Sequence, residues 1–266
     1  MGVKTAISLK EVNLLFPGYN FTHIEPTTNG IMDTTYILKD NRTAFILKKY
    51  ERDVSQKVCI EKELLKYLAT CNCNTPRFLT QNKEWYLYTK LQGEMPKSTQ
   101  LFHIQALARF VSTLHKVSKA FTKSAPFLQQ YDINLMLTFV KKHHFYYYKK
   151  LSSLQKFHLK QEGFIHGDIF KDNTLFKGNS IAVFDFIDGG VGEFSFDIAV
   201  ALLAFNPKNR PLHVKSFLKT YNQNSRQKIP LKQLQKQIKT AAKFYALLRI
   251  NHDKKTKRAK EMYNAS

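Results

Sequence analysis

Gly163-Phe164-Ile165-His166-Gly167-Asp168-Ile169-Phe170-Lys171-Asp172-Asn173, followed by Phe184-Asp185-Phe186, is the stretch on which the reading of this chain turns. An apolar lead-in delivers His166 and Asp168 into a loop, and Asn173 follows Asp168 by five residues. The apolar Ile181, Val183 and Phe184 then read as a short strand that delivers Asp185. Phosphoryl transfer from ATP needs this set of groups. One Asp accepts or orients the proton of the attacking hydroxyl, and an Asn and a second Asp hold Mg2+ on the phosphates. Asp168, Asn173 and Asp185 fit those roles in that order.

The charge pattern around this stretch points the same way. The chain of 266 residues carries 42 basic and 20 acidic side chains, a formal net charge of +22. Six of the acids, Asp168, Asp172, Asp185, Asp188, Glu193 and Asp197, fall within residues 168–197, where the only basic residues are Lys171 and Lys177. Like charges gathered this closely repel unless a cation neutralises them, and hard oxygen ligands suit Mg2+. The basic excess is 34 Lys to 8 Arg and runs through the whole chain. Phosphate clamps and base readout favour clustered Arg, so nucleic acid is not the expected partner. The run Lys141 to Lys150, with its four consecutive aromatics, reads as part of an ordinary amphipathic helix.

Composition excludes other classes. Apolar residues make up 43% and charged residues 23%, the usage of a folded globular chain. No window approaches 18 consecutive apolar residues, and residues 1–10 show neither a basic cluster nor an apolar run. The expectation is a cytoplasmic protein with no membrane partner. Cys59, Cys71 and Cys73 lack the spacing of a zinc site. A Gly-x-Ser-x-Gly nucleophile elbow is absent, which argues against a hydrolase triad.

The first third reads as strand-rich and the remainder as helical. Residues 34–38 and 43–50 form a hairpin pattern, 53–69 a helix, 85–90 a strand, and 91–96 a break between two lobes. Helices are expected near 100–119, 134–159, 196–205, 211–221 and 231–250. Alternation along 43–50 puts Ala44, Ile46 and Lys48 on one face, so Lys48 rather than Lys49 is read as the phosphate-binding lysine. Glu61 lies on the apolar stripe of the following helix and Glu63 does not, which makes Glu61 the expected ion-pair partner of Lys48. Residues 27–34 hold one glycine, Gly30, whose small size would let backbone amides approach phosphate.

His166-Gly167-Asp168 with Asn173, then Phe184-Asp185-Phe186, resembles the catalytic and metal motifs of the aminoglycoside phosphotransferase and choline kinase group. That resemblance implies an α+β, bilobal, protein-kinase-like fold. A small antiparallel-sheet N-lobe (1–91) would bind nucleotide, and a larger, mostly helical C-lobe (92–266) would carry the catalytic loop and the acceptor-binding helices. Within the group, residues 166–176 are most similar to the kinase-like homoserine kinase family, including Phe170 and Asp172-Asn173. Thr5-Ala6-Ile7-Ser8, Phe45-Ile46-Leu47, Gln92-Gly93-Glu94-Met95-Pro96 and Ala242-Lys243-Phe244-Tyr245 with Arg249 also look similar. The resemblance implies ATP and Mg2+ as cofactors, homoserine as acceptor, a place in threonine biosynthesis, and Arg249 as a substrate-carboxylate ligand.

Leu203-Ala204-Phe205 departs from the Asn-Asp-Trp element usual after Asp197 in that family, and Asp188 is an additional acid. These departures bear on the acceptor, not on ATP chemistry. Downstream of Asp197 stand 16 basic residues against Asp253 and Glu261. Such a surface repels a polycationic aminoglycoside and attracts an amino acid's carboxylate. Choline, aminoglycoside and methylthioribose acceptors remain alternatives, as does a non-catalytic, basic nucleic-acid-binding protein on the same scaffold.

Overall fold

The computed structural model describes residues 3–27, 33–121, 124–206, 208 and 210–253. It divides into two compact units: Met1–Gly93 with Ala182–Ile187, and Glu94–Ile181 with Asp188–Ser266.

The first unit is built on a five-stranded antiparallel sheet. Its strands are β1 (His23–Pro26), β2 (Thr34–Lys39), β3 (Ala44–Lys49), β4 (Phe78–Asn82) and β5 (Trp85–Thr89), in the spatial order β1-β2-β3-β5-β4. Side chains alternate across a strand, so one face is apolar and the other carries the site. On the apolar face Tyr36, Leu38, Phe45, Leu47, Trp85 and Leu87 pack with Val12, Phe16 and Phe21. Val12 comes from α1 (Leu9–Leu15), which Ser8 opens as a capping box. The Ser8 hydroxyl accepts from the Glu11 N–H at 3.3 Å, and the Glu11 carboxylate accepts from the Ser8 N–H at 2.8 Å. On the other face lie Thr35, Lys48 and Tyr86, in register with one another across β2, β3 and β5. Helix α2 (Ser55–Thr70) buries Val58, Glu61, Leu64, Leu65 and Leu68. Val58 joins Tyr50, Val54 and Ile187 in a second apolar cluster, with Tyr86 packed against it.

The second unit is mostly helical: α3 (Leu101–Ser118), α4 (Ile133–His143), α5 (Phe145–Leu151), α6 (Phe194–Phe205), α7 (Pro211–Asn224) and α8 (Leu231–Asp253). Helix α6 is apolar apart from Ser195 and Asp197 and buried along nearly its whole length, so it forms the unit's centre. It packs on α8, while α3 packs on α7. Two short strands, β6 (Gly163–Ile165) and β9 (Gly190–Gly192), pair antiparallel with Phe164 opposite Val191. The strand β7 (Thr174–Lys177) precedes β8 (Ser180–Val183), and along β8 the chain passes into the first unit at Ala182.

The structure departs from the expectations at several points. The single helix expected over 134–159 is two helices broken at His144 (φ −144°, ψ 56°), followed by a short 3-10 turn at Ser152–Lys156. No Gly or Pro marks that break. Helix α1 and strands β1 and β4 were not anticipated. The division between units falls at Gly93 instead of Leu91, and residues 182–187 belong with the first unit.

Leu47 has no solvent exposure and sits at the centre of the apolar face. Leu47→Ala should lower the free energy of unfolding by about 2–5 kcal/mol, the usual result of a large-to-small core truncation. Chemical denaturation measures it, and a loss below about 1 kcal/mol would contradict this packing.

Candidate active site

In the first unit, Lys48 is the centre of a charge cluster. Its side chain is only 13% exposed, and its Nζ lies 2.7 Å from Asp185 Oδ1 and 3.7 Å from Asp33 Oδ2. Burial works against the ammonium's charge, but Asp185, Glu61 and Asp33 together outweigh it and hold the lysine's pKa above its ordinary value. Asp185 takes a left-handed backbone conformation (φ 68°), which Asp tolerates better than most residues. The buried Phe186 and Ile187 fix the chain just after it. Lys49 points to the opposite face and pairs with Glu84 at 2.7 Å.

Glu61 stands where its helical stripe placed it, but its direct partners differ from the expectation. Its carboxylate Oε2 accepts from the Tyr50 hydroxyl at 3.0 Å and the Tyr88 hydroxyl at 2.9 Å. The two tyrosines share the sheet face of Lys48 and reach the carboxylate first. Among the described ion pairs Lys48 goes to Asp185 and Asp33, and Glu61 acts on it through charge at longer range. Burial pushes the Glu61 carboxyl above its usual range, with Lys48 and the tyrosine hydroxyls opposing. Asp33 was not singled out from the sequence. Two-residue periodicity carries the signal for it: Thr35 is opposite Lys48, so Asp33 lies diagonally across from Lys48 on the same face. Gly30 and most of its loop lie outside the described residues.

In the second unit, β6 leads into the loop that carries Asp168. The geometry of that loop is imposed by Asp197, near the start of α6, which has no solvent exposure. Its Oδ1 accepts from the Gly167 N–H at 2.7 Å, and its Oδ2 accepts from the His166 N–H at 3.3 Å. His115 Nε2 lies 3.0 Å from the same Oδ2, and His115 Nδ1 lies 3.0 Å from the Tyr221 hydroxyl. The network assigns a proton to His115 Nε2, which donates to Asp197, and turns Nδ1 towards the Tyr221 hydroxyl. Burial alone would push the Asp197 carboxyl up. The His115 hydrogen bond, nearby histidine charge and the Gly167 N–H outweigh it and leave the pKa below its ordinary value. Gly167 is required here. Its φ is +72°, and a Cβ would come within 2.1 Å of the Phe127 ring.

Asp168 and Asn173 are brought together by the loop. Asn173 Nδ2 donates to the Asp168 carbonyl at 2.9 Å and to its carboxylate Oδ2 at 3.0 Å. The amide nitrogen is thereby spent inside the loop, so the amide oxygen is the Asn173 atom that could serve as a ligand. The Asp168 N–H donates to His166 Nδ1 at 3.2 Å, so His166 orders the loop. From α8, the Tyr245 hydroxyl donates to the Gly167 carbonyl and its ring packs 5.2 Å from that of Phe170. One turn further on, the Arg249 guanidinium lies 6.0 Å from the centre of the Phe170 ring. Arg249 Nε is buried and has no hydrogen-bond partner.

These donors are oxygens of carboxylate and amide groups, the set Mg2+ prefers. Among the described residues no three His, Cys, Asp or Glu side chains converge into a metal cage. Mg2+ is commonly held by one or two carboxylates together with substrate phosphates, so the residues present fit it. No helix among the described residues is long and apolar enough to cross a membrane.

Asp197→Ala should strand three buried donors, the His166 and Gly167 N–H groups and His115 Nε2, at about 1–3 kcal/mol each. Thermal or urea denaturation reads the loss, and a change below about 1 kcal/mol would remove Asp197 from this role. The pH dependence has a defined sign. The folded pKa of Asp197 is depressed, so its contribution is present above the ordinary carboxylate value of 3.8 and is lost as pH falls through the lower folded value. The stability gap between wild type and Asp197→Ala should therefore narrow in strong acid.

Comparison with known proteins identifies the family and the fold. Residues 23–229 match the model of the phosphotransferase enzyme family. The homoserine kinase of Zymomonas mobilis is 25% identical over 256 residues, covering 84% of this chain and 80% of its own. That of Polaromonas naphthalenivorans is 22% identical over 228 residues, 76% of this chain and 72% of its own. Among solved structures, an amicoumacin kinase in complex with AMP-PNP, Ca2+ and its ligand superposes with a TM-score of 0.73 at 18% identity. That superposition covers 95% of this chain and 88% of the other. The macrolide 2′-phosphotransferase of Brachybacterium faecium gives 0.70 at 16% identity, covering 97% of both chains. The fold is that of the kinase-like phosphotransferases, and with well over half its length matched the chain belongs to the phosphotransferase enzyme family.

Proposed function

We propose that this protein transfers the γ-phosphate of Mg·ATP to the side-chain hydroxyl of a small anionic acceptor, L-homoserine being the best fit. The observation that carries the transfer chemistry is the Asp168–Asn173 clip. A single amide nitrogen, 3.0 Å from the carboxylate, fixes the base and turns an amide oxygen outward as a ligand. In this reading Asp168 accepts the acceptor hydroxyl's proton as that oxygen bonds to the γ-phosphorus and the bond to the β-phosphate oxygen breaks, releasing ADP. Lys48 binds the nucleotide phosphates, and Glu61 keeps the lysine's surroundings negative. Gly30, outside the described residues, is read as part of a phosphate loop from the sequence alone. Asn173 and Asp185 are the residues that would hold Mg2+, which when bound neutralises charge on the phosphate oxygens. The complex of the related-fold amicoumacin kinase with AMP-PNP and Ca2+ supports nucleotide and divalent metal use.

Two features support an anionic acceptor. One is the excess of basic residues after Asp197. The other is Arg249, whose guanidinium stacks on Phe170 of the catalytic loop with its Nε buried and unsatisfied. A buried donor without a partner is costly unless a ligand completes it, and a guanidinium matches a carboxylate with two parallel bonds. The names of the curated relatives, homoserine kinases, support that acceptor class.

A coupled ADP-release assay across homoserine, choline, aminoglycosides and methylthioribose tests the acceptor. Homoserine should give the highest kcat/KM, and turnover confined to a cationic acceptor would refute the proposal. Asp168→Asn should cut turnover by about 100-fold or more while leaving nucleotide affinity near wild type. Survival within about tenfold would show the base to be misassigned. Arg249→Lys should raise the homoserine KM strongly and the ATP KM little, because lysine lacks the planar fork. Equal losses on both substrates would assign Arg249 to the fold.

A further inference from the structure

Three carboxylates, Asp33, Glu61 and Asp185, surround Lys48, and two of them have other commitments. Glu61 is held by the hydroxyls of Tyr50 and Tyr88, at 3.0 and 2.9 Å. Asp185, with a side chain 36% exposed, bonds Lys48 at 2.7 Å but is also the residue assigned above to the metal. A carboxylate cannot hold a lysine at full strength and also serve as a ligand to a doubly charged ion, so the Lys48–Asp185 bond is weakened when the metal arrives.

Asp33 has no such competing duty. Its side chain is 8% exposed. Its Oδ1 accepts from the Glu51 N–H at 3.2 Å and lies 4.0 Å from Arg52 Nε, while its Oδ2 lies 3.7 Å from Lys48 Nζ. One oxygen is thus anchored to the segment that follows β3, and the other faces the ammonium. The sheet register explains the placement, since Asp33 sits diagonally across from Lys48 on the same face. A buried carboxylate fixed at one oxygen is a rigid counter-charge, and it keeps the ammonium on the site face without occupying it. At 3.7 Å the contact is looser than a full charge-assisted hydrogen bond, which leaves the ammonium's protons free to turn to an incoming phosphate.

We infer that Asp33 is the positioning residue of Lys48: it holds the lysine for the nucleotide's phosphates while Asp185 serves the metal. This rests on the reading of Lys48 as the phosphate-binding lysine, and the test separates the two.

Calorimetric titration of Mg·ADP, with no acceptor present, is made on wild type, Asp33→Asn, Asp33→Glu and Lys48→Ala. Lys48→Ala should lose most nucleotide affinity. Asp33→Asn should bind about tenfold more weakly, because a neutral amide cannot hold the ammonium in place. Asp33→Glu, which keeps the charge, should recover part of that loss, whereas a purely structural role would leave affinity unchanged and move only the melting temperature. Should Asp33→Asn fail to fold, Asp33→Glu decides by the same measurement, with weakened affinity expected. If Lys48→Ala binds weakly while the folded Asp33 variants bind like wild type or tighter, Asp33 has no positioning role. If Lys48→Ala itself binds like wild type, the reading of Lys48 fails and this inference fails with it.

Discussion

Asp197 is ionised in an interior where an unpaired carboxylate would be far too costly, and the second unit is arranged to supply its partners. Two backbone N–H groups of the catalytic loop and one imidazole nitrogen converge on its two oxygens. Each depends on something further. The imidazole is oriented by Tyr221 from α7, so α3 and α7 are tied through the same network that holds the loop. The Gly167 N–H reaches the carboxylate because that residue takes a positive φ, which in turn brings it so close to Phe127 that a side chain cannot be accommodated. The position of Asp168 is therefore a consequence of burying one negative charge correctly. Removing the carboxylate would leave donors unsatisfied on α3 and on the Asp168 loop at once.

The first unit solves a different problem, that of keeping a lysine both charged and buried. It does so through sheet periodicity. Leu47 points into the apolar layer and Lys48, its neighbour, into the polar one, so a slip of one residue would exchange them. The polar layer is lined by Asp33, Glu61 and Asp185, drawn from β2's approach, α2 and the segment after β8. Their combined field outweighs desolvation and keeps Lys48 protonated. The same field burdens Glu61, whose carboxyl is raised by burial and by Asp185 and relieved by Lys48 and the two tyrosine hydroxyls. Those hydroxyls donate to the Glu61 carboxylate and stabilise it without engaging the Lys48 ammonium.

What was legible in the sequence follows from the range over which each signal acts. The sheet face of Lys48 and the burial of Glu61 were legible because strand and helix periodicities are local. The closeness of Asn173 to Asp168 was legible because only five residues separate them. Helix α1 carried a readable signal, Ser8 with Glu11 three residues on, that the reading passed over. Strand β1 has four residues and ends in Pro26, and β4 is half polar, so neither offers a clear alternation. The break at His144 has no local cause, since neither Gly nor Pro is present. Lys141, Lys142 and His143 do suit the end of a helix, where positive charge meets the carbonyl end of the dipole. The partners of Lys48 and Glu61 were not legible because Lys48 and Asp185 are 137 residues apart in sequence. Which carboxylate reaches an ammonium first is decided by tertiary packing, not by spacing.

The two units differ in how they treat their cations. Lys48, in the first, is buried among carboxylates that keep it charged. Arg249 has the opposite environment. Its guanidinium rests on an aromatic face, with one buried nitrogen unpaired, on a helix whose described residues before Asp253 include no acid. A cation left in that condition repels a cationic substrate, and nothing nearby in its own helix offsets the repulsion. In the proposed transfer only the acceptor's hydroxyl reacts, so that step does not read the acceptor's charge. Under that proposal, discrimination would fall to groups outside the transfer, and an unsatisfied guanidinium such as that of Arg249 would favour an acceptor bearing its own negative charge.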